Sequence, residues 1–334
     1  MKNKIIAYPV VVFTTSNFPF GGAAENFVRQ MALGLNTVGL AVDVVLMRGN
    51  CCEKGKSING ISYKPLLFKK RAKNEFFKLF ELIFIIFVIP ISLFRQKLQS
   101  KSKVVILYGV EYFYYVVPFI IFGLLLNIKI YRVITDRYNH NVISPIWWKK
   151  PKVFFYNIQY RYFDRFLDGI ICLSSYLCEG AIKQGVSEDR ILLVPHFIDV
   201  SYFSQAVAPP FSNERTVKIG MCGSLTEQNG LFVLIESFIR LKEQLAELEL
   251  LLIGPISKGN TDFLEERIKV YKNSVIIAGK VPSSDVRNML STCDILINPR
   301  ISGIFAEAGF PTKLGEYMST KRPVIATAVG DIKK

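Results

Sequence analysis

The chain has 334 residues, half of them apolar and 21% charged, which is enough for two packed domains and far from the composition of a disordered segment. Lys and Arg number 42 against 27 Asp and Glu, and the excess of +15 calls for an anionic partner: nucleic acid, anionic lipid or a phosphate-bearing substrate. Six cysteines (Cys51, Cys52, Cys172, Cys178, Cys222 and Cys293) form no CxxC pair, and the two histidines, His140 and His196, stand far apart, so ligand spacing speaks against zinc and the thiols are expected to be buried in a reducing cytosol.

The opening MKNKIIAYPVVVFTT imitates a signal peptide, but Gly21-Gly22 and an amphipathic pattern follow it, with Phe27, Val28, Met31, Leu35 and Val38 on one face, and then the strand-like LAVDVVLM. Strand, glycine loop, helix and strand open a parallel sheet of βαβ units. Residues 64–103 hold ten Lys or Arg against two acids, so this stretch supplies +8 of the net charge, interleaved with phenylalanines such as Phe84, Phe87 and Phe94. Its uncharged run of 13 residues is too short for a bilayer, which takes about 20. The uncharged run 112–128 is longer but holds Pro118. Basic flanks on an aromatic, apolar face suit an element lying in a lipid interface; the alternative is an ordinary core helix with solvated lysines. Trp147 and Trp148 beside Lys149, Lys150 and Lys152 repeat the combination. Helix-turn-helix, zinc-finger and RNP patterns are lacking, so nucleic acid is set aside as a partner.

From residue 166 the chain reads as strand (GIICLSS), helix and ILLVPHFIDV, and 206–213 (AVAPPFSN) has the composition of a linker. A second alternation follows: VKIGMCGSL, the loop TEQNG, a helix with Leu231, Leu234, Ile235, Phe238 and Leu241 on one face, then LELLLIGP, VIIAGKV, DILINPR and RPVIATAV. The expected domains are therefore 1–205 and 214–334, both Rossmann-like, enclosing a cleft at the carboxyl ends of their strands. Neither has GxGxxG after its first strand, which argues against a nicotinamide dehydrogenase. The segment NPRISGIFAEAGFPTKLGEYMSTKRPVIA (298–326) joins a glycine-rich loop to a helix starting near Thr312 that carries Lys313 and Glu316. A nucleotide-sugar donor needs that set: loop amides and a helix N-terminus for the diphosphate, cations for its charge and a carboxylate for ribose hydroxyls.

On these stretches the sequence resembles the retaining glycosyltransferases of family 4, which have the α/β GT-B fold. PFGGAAENFVRQMALGL is similar to that family's N-terminal glycine loop and helix, ICLSSYL to its strand before the linker, and ILLVPHFIDVSYF to a segment in which it usually has Pro-Asn-Gly-Val-Asp. GMCGSLTEQNG resembles its phosphate loop, and GEYMSTKRPVIAT its donor helix and following strand. The family often places two glutamates eight positions apart; Glu316 matches the second, whereas the first position holds Ala308, with Glu307 beside it. Ser224 and Asn229 stand where the phosphate loop commonly has Arg and Lys, so Arg300 and Lys313 are expected to supply that charge. His140, with Asp136 and Arg137 after IYRVIT, is a candidate base or donor, His196 and Asp199 read as structural loop residues, and the chain stops early against the family pattern, so the second domain reads as incomplete.

The resemblance thus implies a hexosyltransferase, retaining and needing no metal or other cofactor, that moves a sugar from a nucleotide-diphosphate donor to a lipid-linked polysaccharide or glycolipid acceptor, as in capsule or O-antigen synthesis. The expected place is peripheral, on the inner face of the plasma membrane, with an anionic lipid surface and a protein completing the C-terminus as partners. Lys313, Arg300 and His140 are the candidate catalytic residues; Gly21, Gly22, Gly223, Ser224, Asn229, Gly309, Phe310, Pro311, Thr312 and Glu316 are the candidate donor-binding ones. The alternatives are a noncatalytic donor-binding subunit or inactive fragment, and a nucleotide-sugar epimerase.

Overall fold

A computed structural model describes residues 9–19, 22–47, 57–58, 60–66, 75–136, 150–198 and 216–333. The chain divides into two compact units, residues 1–195 and 196–334. The composition-based linker 206–213 lies outside the described residues.

The first unit holds an eight-stranded sheet in the order β3-β4-β2-β1-β5-β6-β7-β8. Its strands are β1 (Val10–Thr14), β2 (Val42–Leu46), β3 (Ser57–Ile58), β4 (Ile61–Pro65), β5 (Val104–Tyr108), β6 (Lys129–Ile134), β7 (Gly169–Cys172) and β8 (Ile191–Leu193). All pairs are parallel except β3 with β4. β1 is VVVFT and is buried at every position, as a central strand covered on both faces must be. Helix α1 (Ala23–Thr37) buries Phe27, Val28 and Ala32 as its periodicity predicts, but Val38 sits past the last turn and is exposed. The apolar runs at 82–94 and 112–128 become α2 (Glu75–Arg95) and α3 (Phe113–Leu126), which pack side by side. Among the described residues no helix is long and apolar enough to cross a membrane. Helices α4 (Lys150–Ile158) and α5 (Ser175–Lys183) complete the unit.

Inside it lies a buried charge pair that periodicity does not announce. Arg132 on β6 donates from Nη1 to Asp164 Oδ2 (2.5 Å) and from Nε to the Val110 carbonyl (3.0 Å), and Gln159 Nε2 donates to Asp164 Oδ1 (2.7 Å). Both charged residues are 1% exposed. Burial alone lowers the Arg132 pKa, but the Asp164 carboxylate, with Tyr156 and Glu111, outweighs it and the net shift is upward, so the guanidinium stays charged.

The second unit is a five-stranded parallel sheet, β11-β10-β9-β12-β13, formed by β9 (Val217–Cys222), β10 (Leu248–Ile253), β11 (Val275–Gly279), β12 (Ile295–Asn298) and β13 (Val324–Ala326). Its helices are α6 (Leu231–Lys242), α7 (Lys258–Arg267), α8 (Ser283–Ser291), α9 (Ile304–Ala308) and α10 (Thr312–Ser319). Successive residues of β10 enter different cores: Leu250 and Leu252 join Leu234 and Phe238, while Leu251 and Ile253 join Leu290, Leu296 and Tyr317. That period of two, buried on both sides, is why Leu250 to Ile253 read as an unbroken apolar run. On α6, Leu231, Leu234, Ile235 and Phe238 are buried as expected, whereas Leu241 is exposed. Cys172, Cys222 and Cys293 are buried thiols and Cys178 is half-buried; Cys51 and Cys52 lie outside the described residues. Burial pushes Cys222 up to about 11 and Cys293 up to about 12, so both are inert at neutral pH.

Candidate functional site

In an open parallel sheet a ligand binds outside the carboxyl ends of the strands where the strand order reverses. In the second unit that point lies between β9 and β12. The sequence-derived phosphate loop (223–230) leaves β9 and the NPR segment leaves β12, so both fall at the switch point.

Backbone contacts join the two loops. Gly230 has φ +83°, and a Cβ there would stand 1.8 Å from the Pro299 carbonyl oxygen; Ile301 N–H donates to the Gln228 carbonyl (3.1 Å). On the other side a Cβ on Gly254, φ +139°, would stand 1.8 Å from the Gly223 oxygen. Only glycine fits at these two positions, and the loop is held on both sides without any large side chain. Asn229 spans it from within, donating from Nδ2 to the Ser224 carbonyl (2.8 Å). Ser224 itself is exposed.

Above this loop stands α10. Pro311 precedes its first turn, which has no side-chain cap. Tyr317, 1% exposed, fixes the helix to the end of β9: its hydroxyl accepts from Cys222 N–H (2.5 Å) and donates to the Cys222 carbonyl (3.0 Å). Lys313 lies one turn earlier on the same face, so its stem lies over Gly223, with Cγ 3.9 Å from where a Cβ would be. Its ammonium donates to Glu316 Oε2 (2.7 Å). Desolvation lowers the Lys313 pKa, but the adjacent Glu316 carboxylate and, behind it, Cys222 together outweigh it and the net shift is upward, which keeps the ammonium protonated at neutral pH. The arrangement presents one cation and one carboxylate above a backbone loop open to an anion.

Thus Gly223, Ser224, Asn229, Lys313 and Glu316 come together in one unit, with Gly309, Phe310, Pro311 and Thr312 on the approach to α10. Arg300 is also there, in another role. The residue is 7% exposed, its guanidinium donates to the Gly309 (2.7 Å) and Phe305 (3.1 Å) carbonyls, and it lies 4.3 Å from the Phe305 ring centre. It pins the loop ahead of α10, whereas the sequence expectation gave it to a phosphate. Ala308 is fully buried and offers no carboxylate, and the half-buried Glu307 lies 3.7 Å from the Lys333 ammonium.

In the first unit, the Gly22 N–H is taken by Glu25 Oε2 (2.7 Å), and Glu25 Oε1 accepts from Asn17 N–H (2.8 Å). Glu25, 8% exposed, thereby shapes the loop that the glycines open. The sequence signal for it is a glutamate three residues after a helix cap, the second half of a capping box. Gly21, His140, Arg137 and Asp199 lie outside the described residues, as do Trp147 and Trp148.

His196 belongs to the second unit, near Ile198, whose side chain comes within 3.5 Å of where a Gly315 Cβ would stand, beneath α10. Burial lowers its pKa from 6.5 to about 4. The unfolded chain therefore binds the extra proton between those values, and the neutral-form stability is complete above 6.5 and lost as the pH falls toward 4. Unfolding midpoints of the wild type should fall over that window, and His196→Gln should flatten the fall; a parallel curve for the variant would remove His196 from the account.

Residues 216–334 match the family described as Glycosyl transferases group 1. WcaL of Escherichia coli (strain K12), named for glycosyl transfer in colanic acid biosynthesis, is 27% identical over 175 residues, which make up 52% of this chain and 42% of that protein. Its Salmonella typhimurium counterpart is also 27% identical, over 177 residues and the same shares. The chain therefore matches less than half the length of these curated relatives. Among solved structures, Anabaena Alr3699/HepE in complex with UDP and glucose superposes with a TM-score of 0.62 at 13% identity, covering 98% of this chain and 82% of that one. WaaG, a glycosyltransferase involved in lipopolysaccharide biosynthesis, gives 0.61 at 15% identity, over 96% and 81%. These likenesses put the chain on the GT-B fold, and residues 216–334 match the glycosyl transferases group 1 family.

Proposed function

We propose that the chain is a glycosyltransferase that moves a sugar, with retention, from a nucleotide-diphosphate donor to a lipid-linked polysaccharide or glycolipid acceptor. The observation that carries this reading is the Lys313–Glu316 pair over Gly223 at the switch point of the second sheet. The diphosphate lies on the 223–230 loop, Lys313 offsets its charge, and Glu316 takes ribose hydroxyls. A carboxylate has room for them beside Lys313, since its two oxygens offer about four acceptor sites. In the transfer the bond from the anomeric carbon to the phosphate oxygen breaks, the acceptor oxygen bonds to that carbon, and the acceptor proton passes to the leaving phosphate. A dedicated protein base is then unnecessary, and no metal or other cofactor is called for; the protein holds the partners and stabilises the developing charge. Arg300 serves by holding the 300–311 loop. The supporting names are those of relatives: WcaL in colanic acid biosynthesis and HepE with UDP bound.

The test is calorimetric titration with UDP and with GDP. One nucleotide should bind, and Glu316→Ala should weaken it by about 10- to 100-fold, the worth of hydrogen bonds to a charged group. Absence of binding by both would refute the donor site. A second reading, a donor-binding subunit without turnover, is favoured by Arg300, whose donors go to the Gly309 and Phe305 carbonyls and leave Lys313 as the cation among the two expected. Tight nucleotide binding with no sugar transfer to membrane extracts would select it.

A further inference from the structure

Helix α2 is apolar on both sides. Ile85, Ile89 and Leu93 face inward and are at most 2% exposed, while Phe87 (67%), Ile91 (52%), Phe94 (52%) and Leu98 (63%) follow a helical stripe on the opposite face. A helix over a soluble sheet ordinarily turns charged residues outward. Its neighbour α3 repeats the anomaly, burying Tyr115, Val116 and Phe119 while leaving Leu124 84% and Leu125 70% exposed. The crossovers β4→β5, β5→β6 and β6→β7 all run the same way across the sheet, so their right-handedness puts α2, α3 and α4 on one side of it. The layer continues into α4 through Phe113, whose ring lies 5.7 Å from Phe155. Beyond α4, exposed Tyr162 and Phe166 sit beneath the guanidinium groups of Arg161 (5.5 Å) and Arg165 (5.2 Å).

Charge accompanies the stripe. Arg95 ends the last turn of α2, Lys97, Lys101 and Lys103 follow it, and from residue 82 to 135 the sequence holds a single acid, Glu111. We infer that the α2–α3 layer is a membrane-docking face whose partner is the surface of an anionic phospholipid bilayer, with the aromatic stripe among the acyl chains and the basic rim among the headgroups. Burial in the lipid interface satisfies both the apolar and the cationic parts of this face. A second copy of the chain satisfies the first alone, because a two-fold contact brings the like-charged rims together. The crossover helices run along the strands, so the sheet lies flat over the membrane and its carboxyl edge opens sideways. The inference deepens the functional reading by naming a partner, and it rests on that reading only for the acceptor's place.

The test is flotation of the full chain with vesicles of phosphatidylcholine alone and of phosphatidylcholine mixed with phosphatidylglycerol, without nucleotide or acceptor. The chain should float with the anionic vesicles. Phe87→Asp with Phe94→Asp should cut partitioning at least tenfold, and Lys97→Gln with Lys101→Gln about fivefold per charge, with that loss shrinking in high salt. All four positions lie outside the core, and an unchanged unfolding midpoint shows that the fold survives. Failure of the wild type to float, or equal flotation by the Phe87→Asp/Phe94→Asp variant, overturns the inference. So does a lipid-free dimer that the same two substitutions dissociate, which assigns the face to a second copy. UDP binding is read separately, so loss of the docking face leaves the donor-site reading standing, and loss of the donor site leaves this one.

Discussion

Lys313→Met should lower the turnover number by about 100- to 1,000-fold, the range found when one preorganised donor to a developing anion is removed, while nucleotide affinity falls less. The physical reason is that the charge on the leaving diphosphate grows as the sugar–phosphate bond breaks, so an ammonium over Gly223 does more for the transition state than for the bound donor. Methionine retains most of the aliphatic stem that lies 3.9 Å from the Gly223 Cβ position, so packing survives and the charge alone is deleted. Both variants leave Glu316 without its 2.7 Å partner, but Lys313→Ala should lose some stability besides, since it also removes the stem and opens the space over the loop. The measurement is kcat and nucleotide Kd for both variants beside wild type, with sugar donors of the nucleotide that the titrations select and acceptor from membrane extracts. Unchanged kcat in Lys313→Met would dismiss Lys313 from the chemistry. A rise in Kd matching the fall in kcat/KM, with kcat unchanged, would make it a binding residue only.

The second half of this site was legible because its signals are local. A glycine after an apolar run marks the end of β9, Pro311 marks the start of α10, and Lys313 with Glu316 at three-residue spacing share a helix face. The partners of Arg300 were not legible. Counting charges around a diphosphate assigns it to the ligand, but its guanidinium closes on carbonyls five and nine residues ahead, geometry that depends on the short helix α9, which the sequence reading took for loop. Glu25 was missed for the opposite reason: its signal is local, but attention fell on the glycines, and it is the Gly22 amide that it binds. The apolar stripe on α2 was visible as composition; which phenylalanines face outward was not, because a helix apolar all round has no periodicity to orient it.

Arg132 shows the limit most clearly, and it carries the largest expected effect on stability. IYRVIT reads as an ordinary strand with one polar residue, and the carboxylate that neutralises Arg132 arrives 32 positions later, in a short helical turn between α4 and β7. Asp164→Ala should cost about 3–5 kcal/mol of unfolding free energy, because it leaves a charged guanidinium 1% exposed, held by Val110 alone among the two acceptors named, and Gln159 Nε2 deprived of its acceptor. The origin is the stranded charge more than the lost attraction. Replacing both members, Arg132→Met with Asp164→Leu, should therefore recover most of the loss, since a buried ion pair and an apolar pair of similar volume differ by only about 1–4 kcal/mol, often in favour of the apolar one. Urea unfolding of the single and double variants decides the matter through the double-mutant cycle. Equal destabilisation by the single and double replacements would mean that this pair is required for the packing of β5, β6 and the turn at 164–166, and that its charge is incidental to the cost.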